Sequence, residues 1–269
     1  MERLDSLSSH LNSSSSASNL LHCSNSLEHY KSLSSLSNEN EEELNRSIHG
    51  NLFGKFFEFI GILGNHSLFQ EHYDGMELHR KELRRLGFRQ SKELLKAFGI
   101  DSSNVDKPFS EMLALEDALI SYDPGFLVRN GVHLMLFGES IKALGTEKHL
   151  KILKDAYDYK TIGCFGLTEL GHGSNARGVL TTAHYDAKTQ EFVMNSPNDL
   201  AMKFWIGAAK DVADTSVIFA QLYIGEKNYG PHAFVVPLRG KNDHQLLPGV
   251  IVGDCGDKNG NVIALVIVK

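Results

Sequence analysis

The apolar residues between positions 51 and 155 recur every three to four residues, the spacing of amphipathic helices. The stripe over 52–63 is the broadest of these patterns. The run over 126–144 is the most apolar and stops at Gly145, a residue type that commonly ends helices. Further helices are predicted over 75–87, 93–98 and 110–121. This half of the chain therefore predicts a small all-α domain.

The pattern changes after residue 161 from helical spacing to alternation, with turn residues at short intervals. The segment 186–189, Asp-Ala-Lys-Thr, predicts a hairpin turn between two of the strands. Strands are predicted over 163–167, 180–185, 191–195, 216–223, 233–238 and 250–253. Short strands at this spacing favour an antiparallel β sandwich or barrel, so the expected fold class is α+β.

Composition adds a third segment in front of these two halves. Serine supplies 15 of the first 50 residues, and such a stretch buries too little apolar surface to offset the entropy of ordering it. We expect disorder over 1–45, an α domain over 46–160, a β domain over 161–260 and a divergent tail over 261–269.

Charge and length narrow the possible partners and ligands. The 269 residues carry 27 Lys+Arg against 33 Asp+Glu, which gives no basic field for a nucleic acid, and no apolar run reaches the length of a membrane span. Cys23, Cys164 and Cys255 lie far apart and form no CxxC pair, which indicates a reducing compartment without a disulfide framework. The 13 histidines include no HExxH pair, so no metal site is predicted.

A short motif near the amino terminus has the pattern of an address. Arg3-Leu4, five residues and then His10-Leu11 resemble the type-2 peroxisomal targeting signal, (R/K)-(L/V/I)-x5-(H/Q)-(L/A), at all four positions. The alternative is a chance pattern in a tail rich in Ser and Leu. The position of the motif favours a signal, so we expect an import receptor to bind it and the protein to be peroxisomal.

The glycine-rich stretch over 163–175 is the first candidate for chemistry. Glycines let a backbone approach a flat or phosphate-bearing ligand closely, and Thr168 and Ser174 supply hydroxyl groups that can orient it. The stretch is neither the G-x-S-x-G of a hydrolase nor the G-x-G-x-x-G of a dinucleotide fold. From the residues alone, a ligand loop and a purely structural glycine turn both remain open.

A second candidate segment, 203–210, contains the only tryptophan of the chain. Trp205 stands close to Gly207 and Ala208, and a large ring beside a space is one way to wall an aromatic cofactor. A lone tryptophan is also common in core or hinge packing, so this segment by itself leaves both interpretations open.

Taken together, the motifs resemble the acyl-CoA oxidases over about residues 108–258. The resemblance comes from several segments in one order: T-E-L-G-H-G-S-N, T-T-A-H-Y-D-A-K-T-Q-E-F-V-M-N-S-P, K-F-W-I-G, G-P-H-A-F-V-V-P-L-R and L-P-G-V-I-V-G-D-C-G. The acyl-CoA dehydrogenases are less similar, because they usually have P-x-A-G-S-D after T-E and a Ser or Thr where this chain has Gly207.

The resemblance implies a function and a set of contacts. Members of this family use FAD to oxidise a fatty acyl-CoA to the trans-2-enoyl-CoA and pass the electrons to O2, giving H2O2, in the first step of peroxisomal β-oxidation. By matching positions, Thr168 and Gly207 would contact FAD, and Trp205 would pack near the flavin. Gly173 and Ser174 would lie along the acyl-CoA channel.

The sequence departs from the family after Lys258-Asn259-Gly260. Family members continue into more β structure and a carboxyl-terminal helical domain, which holds the glutamate that acts as general base, much of the FAD site and the dimer interface. No catalytic residue is therefore assigned here. We expect a truncated chain that is inactive alone and a homodimer in the full-length form. The alternatives are an inactive product that binds FAD or a full-length subunit, an acyl-CoA dehydrogenase and a lipid-binding module without flavin.

Overall fold

A computed structural model of the chain describes residues 38–69, 80–103, 109–210, 212–255 and 266–268. The chain divides into two units between Phe53 and Gly54. The targeting motif and Cys23 lie outside the described residues. In the part of the chain that is described, no helix is both long and apolar enough to cross a membrane.

The first unit contains helix α1 (Asn38–His49) and a 3-10 turn over Gly50–Leu52. Helix α1 begins inside the segment predicted to be disordered, so for residues 38–45 the prediction and the structure differ. Glutamates are good helix formers and lie in the first half of α1, where the helix dipole favours negative charge. Arg46 adds an ion pair with Glu42, 2.7 Å long and one helical turn away.

The helices of the second unit follow the predicted stripes with two changes, and residues 75–79 of one predicted helix lie outside the described residues. They are α2 (Phe53–Asn65), α3 (Arg80–Ala97), α4 (Phe109–Tyr122), α5 (Pro124–Gly131), α6 (Glu139–Leu144) and α7 (Leu150–Tyr157). Two helices were expected where α3 is continuous. Gly87, where the first of these two helices was expected to end, lies inside α3 and gives room for Arg129, whose guanidinium occupies the place of a side chain there.

A π-helical segment over Val132–Gly138 joins α5 to α6, within the predicted helix over 126–144. It also holds the α-helical part of the unit against the first strand. The ring of His133 contacts both sides, because the Gly163 N–H donates to Nδ1 at 3.1 Å and Nε2 lies 3.0 Å from the Ala156 carbonyl oxygen. Phe137 packs directly over Gly163, where any larger residue would overlap its ring.

The main sheet has five strands, and the long strand β4 lies at its centre. The strands are β1 (Gly163–Gly166), β2 (Thr182–Asp186), β3 (Glu191–Asn195), β4 (Thr215–Ile224) and β5 (Lys227–Pro237). β1 and β2 both run parallel to β4, with Gly163 opposite Thr215 and Thr182 opposite Gln221. β3 pairs antiparallel with β2, and β5 pairs antiparallel with β4. A separate antiparallel pair joins β6 (Val250–Val252) to β7 (Val266–Val268).

The α+β class is confirmed, but the strands of the main sheet are not all antiparallel as expected. The sheet formed by the described residues is mixed and does not close on itself. The loops between β1 and β2 and between β3 and β4 return the chain in a direction that makes both contacts with β4 parallel. An alternating sequence fixes which residues share a face of a strand but carries no information on strand direction.

Candidate functional site

The two candidate segments, which are about 35 residues apart in the chain, lie side by side in the structure. The glycine-rich loop leaves β1 and forms a short antiparallel ladder with residues 200–204. The Phe204 N–H donates to the Thr168 carbonyl oxygen at 2.9 Å, and the Leu170 N–H donates to the Met202 carbonyl oxygen at 2.8 Å. The structure therefore brings the predicted residues Thr168 and Trp205 to one place.

A buried ion pair crosses this ladder. Lys203 Nζ lies 2.9 Å from Glu169 Oε1, and both side chains are completely buried. Lys203 also donates to the Leu167 carbonyl oxygen at 3.2 Å. The carboxylate of Glu169 accepts from the Leu180 N–H at 2.7 Å and from both the N–H and the hydroxyl of Thr181, at 2.9 and 2.7 Å.

These contacts set the charge state of Glu169. Burial by itself raises the pKa of the carboxyl, but the donors, led by the Leu180 N–H and the Lys203 ammonium, outweigh it and hold the pKa below its usual range. The pair is thus an ionised carboxylate with its ammonium partner. Sequence reasoning missed it, although Glu169 and Lys203 each stand beside apolar and small neighbours, which is a usable signal of a buried pair.

The residues predicted to contact acyl-CoA lie at the open end of the glycine-rich loop. Gly173 packs against Thr168, and a methyl group added at Gly173 would lie 3.2 Å from Thr168 Cγ2. Ser174 is exposed, Thr168 is half-buried, and neither hydroxyl has a hydrogen-bond partner among the described residues. His172 Nε2 lies 2.9 Å from the Gly178 carbonyl oxygen and holds the turn.

Trp205 is unusually placed for a large side chain. It is 56% exposed, and its ring meets Phe204 edge-on at 5.7 Å between centroids. Its backbone is left-handed with φ +65°, as is that of Ala208 with φ +68°. Such a conformation costs a non-glycine residue roughly 1–3 kcal/mol, and strain of this kind persists only where the surroundings enforce it. An exposed ring on a strained backbone is typical of a ligand-facing position.

Gly207 is buried between these two strained residues and faces the helical part of the unit. A methyl group added there would lie 2.9 Å from Cγ2 of Val132, in the π-helical segment. Its own φ is not left-handed. The structure therefore explains the glycine by the close approach of Val132, while Ile206 and Ala209 on either side belong to the core of the sheet.

The uncharged groups that Thr168, Ser174 and Trp205 expose are suited to a flat, largely uncharged ring system. Hydroxyl groups and an aromatic face are available to a ligand, while the charges of Glu169 and Lys203 are buried and paired. No group of three or more His, Cys, Asp or Glu side chains suited to a metal ion occurs in the ranges that the structure describes. These features define an α+β protein with a candidate site for an aromatic cofactor at a sheet edge.

Comparisons with known proteins name the family. No protein-family model matches the chain. The peroxisomal acyl-coenzyme A oxidase 3 of Arabidopsis thaliana is 44% identical over 149 residues, which is 55% of this chain and 22% of that protein. The chain matches the acyl-CoA oxidases over part of its length and spans about a quarter of the length of the curated relatives that it matches.

Solved structures agree with the sequence match. The crystal structure of acyl-CoA oxidase 3 from Yarrowia lipolytica is similar with a TM-score of 0.70 and 33% identity, covering 80% of this chain and 31% of that one. Acyl-CoA oxidase-2 from Caenorhabditis elegans, bound with FAD, ascaroside-CoA and ATP, gives a TM-score of 0.67 and 31% identity over 83% of this chain and 34% of that one. The fold described above is therefore that of a segment of an acyl-CoA oxidase.

Proposed function

We propose that this chain forms the flavin-facing and substrate-facing part of a peroxisomal acyl-CoA oxidase. The complete enzyme would oxidise a fatty acyl-CoA to the trans-2-enoyl-CoA and reduce O2 to H2O2. The observation that supports the proposal is the ladder between the glycine-rich loop and residues 200–204, in which the Phe204 N–H, next to the exposed Trp205, donates to the Thr168 carbonyl oxygen. The match to the acyl-CoA oxidases supports it as well.

The individual roles follow from the resemblance and fit the geometry. Thr168 would donate a hydrogen bond to FAD with its unpartnered hydroxyl, and Trp205 would pack beside the flavin. Gly173 and Ser174 would border the acyl-CoA. FAD, when bound, supplies the acceptor for the hydride that leaves the substrate β-carbon. The task of these residues is to orient both molecules and to exclude water between them.

The direct test is flavin binding by the purified chain. After incubation with FAD and gel filtration, we expect the protein fraction to carry the visible absorbance of a flavin and the emission of Trp205 to be quenched. Thr168→Val, which removes one hydroxyl at nearly constant volume, should weaken binding about tenfold. Thr189→Val, on the exposed hairpin turn, is the matched control and should bind like the unmodified chain. No flavin in the protein fraction, either with this chain or with a chain completed by the rest of an acyl-CoA oxidase, would refute the proposal.

The electron acceptor needs its own measurement. Gly207 is the residue-level reason to prefer an oxidase over a dehydrogenase, because it provides no hydroxyl where the dehydrogenases have Ser or Thr. In a protein completed with the rest of an acyl-CoA oxidase, we expect H2O2 to form in step with the enoyl-CoA. Enoyl-CoA formation that needs an added electron-accepting dye, without H2O2, would identify a dehydrogenase.

We propose a peroxisomal address and a homodimeric assembly on narrower grounds. The address rests on Arg3, Leu4, His10 and Leu11 and on the peroxisomal names of curated relatives. An import receptor that reads this motif is the expected partner. The homodimer rests on the family resemblance alone, and light scattering of the completed protein would show twice the mass of one chain if it is correct.

A further inference from the structure

We propose that the buried ion pair Glu169–Lys203 is a positioning device for the flavin-facing surface. It sets where Thr168 and Trp205 stand relative to each other. The inference rests on the proposed function only where flavin binding is measured. The placement of Trp205 can be measured without any ligand. Neither charged residue is a catalytic residue, because both side chains are completely buried and face away from solvent.

The position of the pair in the chain is the first argument. Glu169 directly follows Thr168, and Lys203 stands two residues before Trp205. Glu169 and Lys203 lie opposite each other in the ladder. The ion pair therefore joins the glycine-rich loop to residues 200–204, next to Thr168 and close in the chain to Trp205. A shift of either charge would move both the hydroxyl and the ring.

The directionality of the contacts is the second argument. The carboxylate of Glu169 is held by donors on three sides, from Leu180, Thr181 and Lys203. Lys203 is fixed in turn by the Leu167 carbonyl oxygen, directly before Thr168. Apolar side chains of the same volume would bury similar area without fixing an orientation, and buried ion pairs are often no more stabilising than such replacements. The geometry therefore indicates that the ion pair fixes the orientation of the glycine-rich loop and residues 200–204.

The strained backbone beyond Lys203 is the third argument. Trp205 adopts a left-handed conformation, and its neighbours must enforce that conformation from both sides. On the carboxyl side, Ile206 and Ala209 are anchored in the core of the sheet. On the amino side, the anchors are the Phe204 N–H bond to Thr168 and the buried ammonium of Lys203. The ion pair is therefore the charged part of the contacts that hold the chain on the amino side of Trp205.

The test uses Trp205 as its own reporter, because it is the only tryptophan of the chain. Lys203→Met should retain the far-ultraviolet circular dichroism of the folded chain but change the emission maximum and the acrylamide quenching of Trp205. Its affinity for FAD should fall about tenfold or more. Lys96→Met, which breaks the exposed pair between Lys96 and Glu93, is the matched control and should change neither reading.

A double variant separates positioning from stability. Glu169→Leu with Lys203→Met removes both charges, so it should unfold at a higher temperature than Lys203→Met, which leaves a buried carboxylate without its ammonium. If the pair positions the site, the emission of Trp205 and the affinity for FAD stay altered in the double variant. Emission and affinity that both return to those of the unmodified chain would overturn the inference.

The remaining outcomes are also decisive. If Lys203→Met does not fold, two other variants replace it: the double variant and Thr181→Val, which removes one donor to Glu169. Thr181→Val should change the emission of Trp205 and the affinity for FAD in the same direction but by less. Folded variants with unchanged Trp205 emission refute the inference. Failure of both the unmodified chain and the completed chain to bind FAD refutes the proposed function, and the emission of Trp205 then still decides the positioning role.

Discussion

His133 uses both nitrogens of its ring in a buried place, and this makes it sensitive to pH. Nδ1 accepts from the Gly163 N–H, so the proton is on Nε2 and is donated to the Ala156 carbonyl oxygen. Burial lowers the pKa of His133 to about 4, against the opposing effects of that carbonyl and of Asp214. A second ring proton, on Nδ1, would point at the Gly163 N–H, so protonation of His133 is unfavourable in the folded state.

We therefore expect the free energy of unfolding to fall as the pH drops from about 6.5 to about 4. Above this window His133 is neutral in both states and its contribution to stability is complete. Inside it the unfolded chain takes up a proton that the folded chain refuses, for a loss of up to about 3 kcal/mol. Urea unfolding at pH 7.5 and pH 5 measures the difference. His133→Gln should be less stable but should lose most of this pH dependence, and an equal loss in both proteins would contradict the assignment.

At the scale of elements, the contact between the Trp205–Ala208 segment and the π-helical segment is tight. Gly207→Ala should destabilise the fold by about 1–3 kcal/mol, because the new methyl group would meet Val132, whose branched side chain is stiff. Thermal and urea unfolding should show the loss, and Val132→Ala in the same chain should recover most of it.

The control for that substitution is a glycine with space around it. Gly61 lies inside α2 with no atom within 4 Å of an added methyl group, so Gly61→Ala should stabilise the chain by about 0.5–1 kcal/mol. A Gly207→Ala variant as stable as the unmodified chain would show that the segment moves freely. A Gly207→Ser variant, made to introduce the side chain that the dehydrogenases usually have here, would meet the same side chain and should therefore carry Val132→Ala as well.

Local patterns along the chain are enough to find most elements. The turn over 186–189 is where it was predicted, with the Lys188 N–H donating to Asp186 Oδ1 at 2.8 Å, and β3 has the predicted bounds Glu191–Asn195. Hydrophobic spacing is a property of neighbouring residues and survives without knowledge of the fold. The parallel pairing of β1 and β2 with β4 depends on the path of the loops, which no local pattern contains.

The candidate site shows the same division. The residues that touch a ligand in the proposal, Thr168 and Trp205, stand in segments with distinctive glycine and aromatic content. That the two segments pair, and that Glu169 and Lys203 join them, is a tertiary contact across 34 residues. The π-helical segment was also missed, because its sequence has the same apolar spacing as an ordinary helix.

At the scale of the whole molecule, the amino-terminal motif should act as an address. A fluorescent reporter fused after about residue 30 should enter peroxisomes, since the receptor reads residues 3–11 and not the folded domains. Replacing Arg3 and His10 together by Ala should leave it in the cytosol, whereas Ser13→Ala with Ser15→Ala, outside the motif, should not. A cytosolic reporter with the intact segment would show a chance match.

The 269 residues by themselves should turn over acyl-CoA at or near background. None of the positions that match the family motifs is its general base, and general-base help is typically worth about 10²–10⁴-fold, with lost positioning adding to that. An assay of H2O2 release with added FAD measures this, and a chain completed with the remainder of a family member is the positive control. Robust H2O2 formation by the 269 residues would reveal a base among them.

The central place of β4 has a consequence for the order in which the molecule assembles. Gly163–Gly166 has no sheet partner among the described residues until Thr215–Ile218 arrives, about 50 residues later in the chain. The glycine-rich loop and the tryptophan segment both lie inside that interval, so the strand that leads into them joins the sheet only when β4 docks. Closing such a loop costs entropy before any contact repays it, so sheet formation is slow and comes late. During synthesis, the ligand-facing surface would be among the last parts to take shape, well after the helices ahead of it.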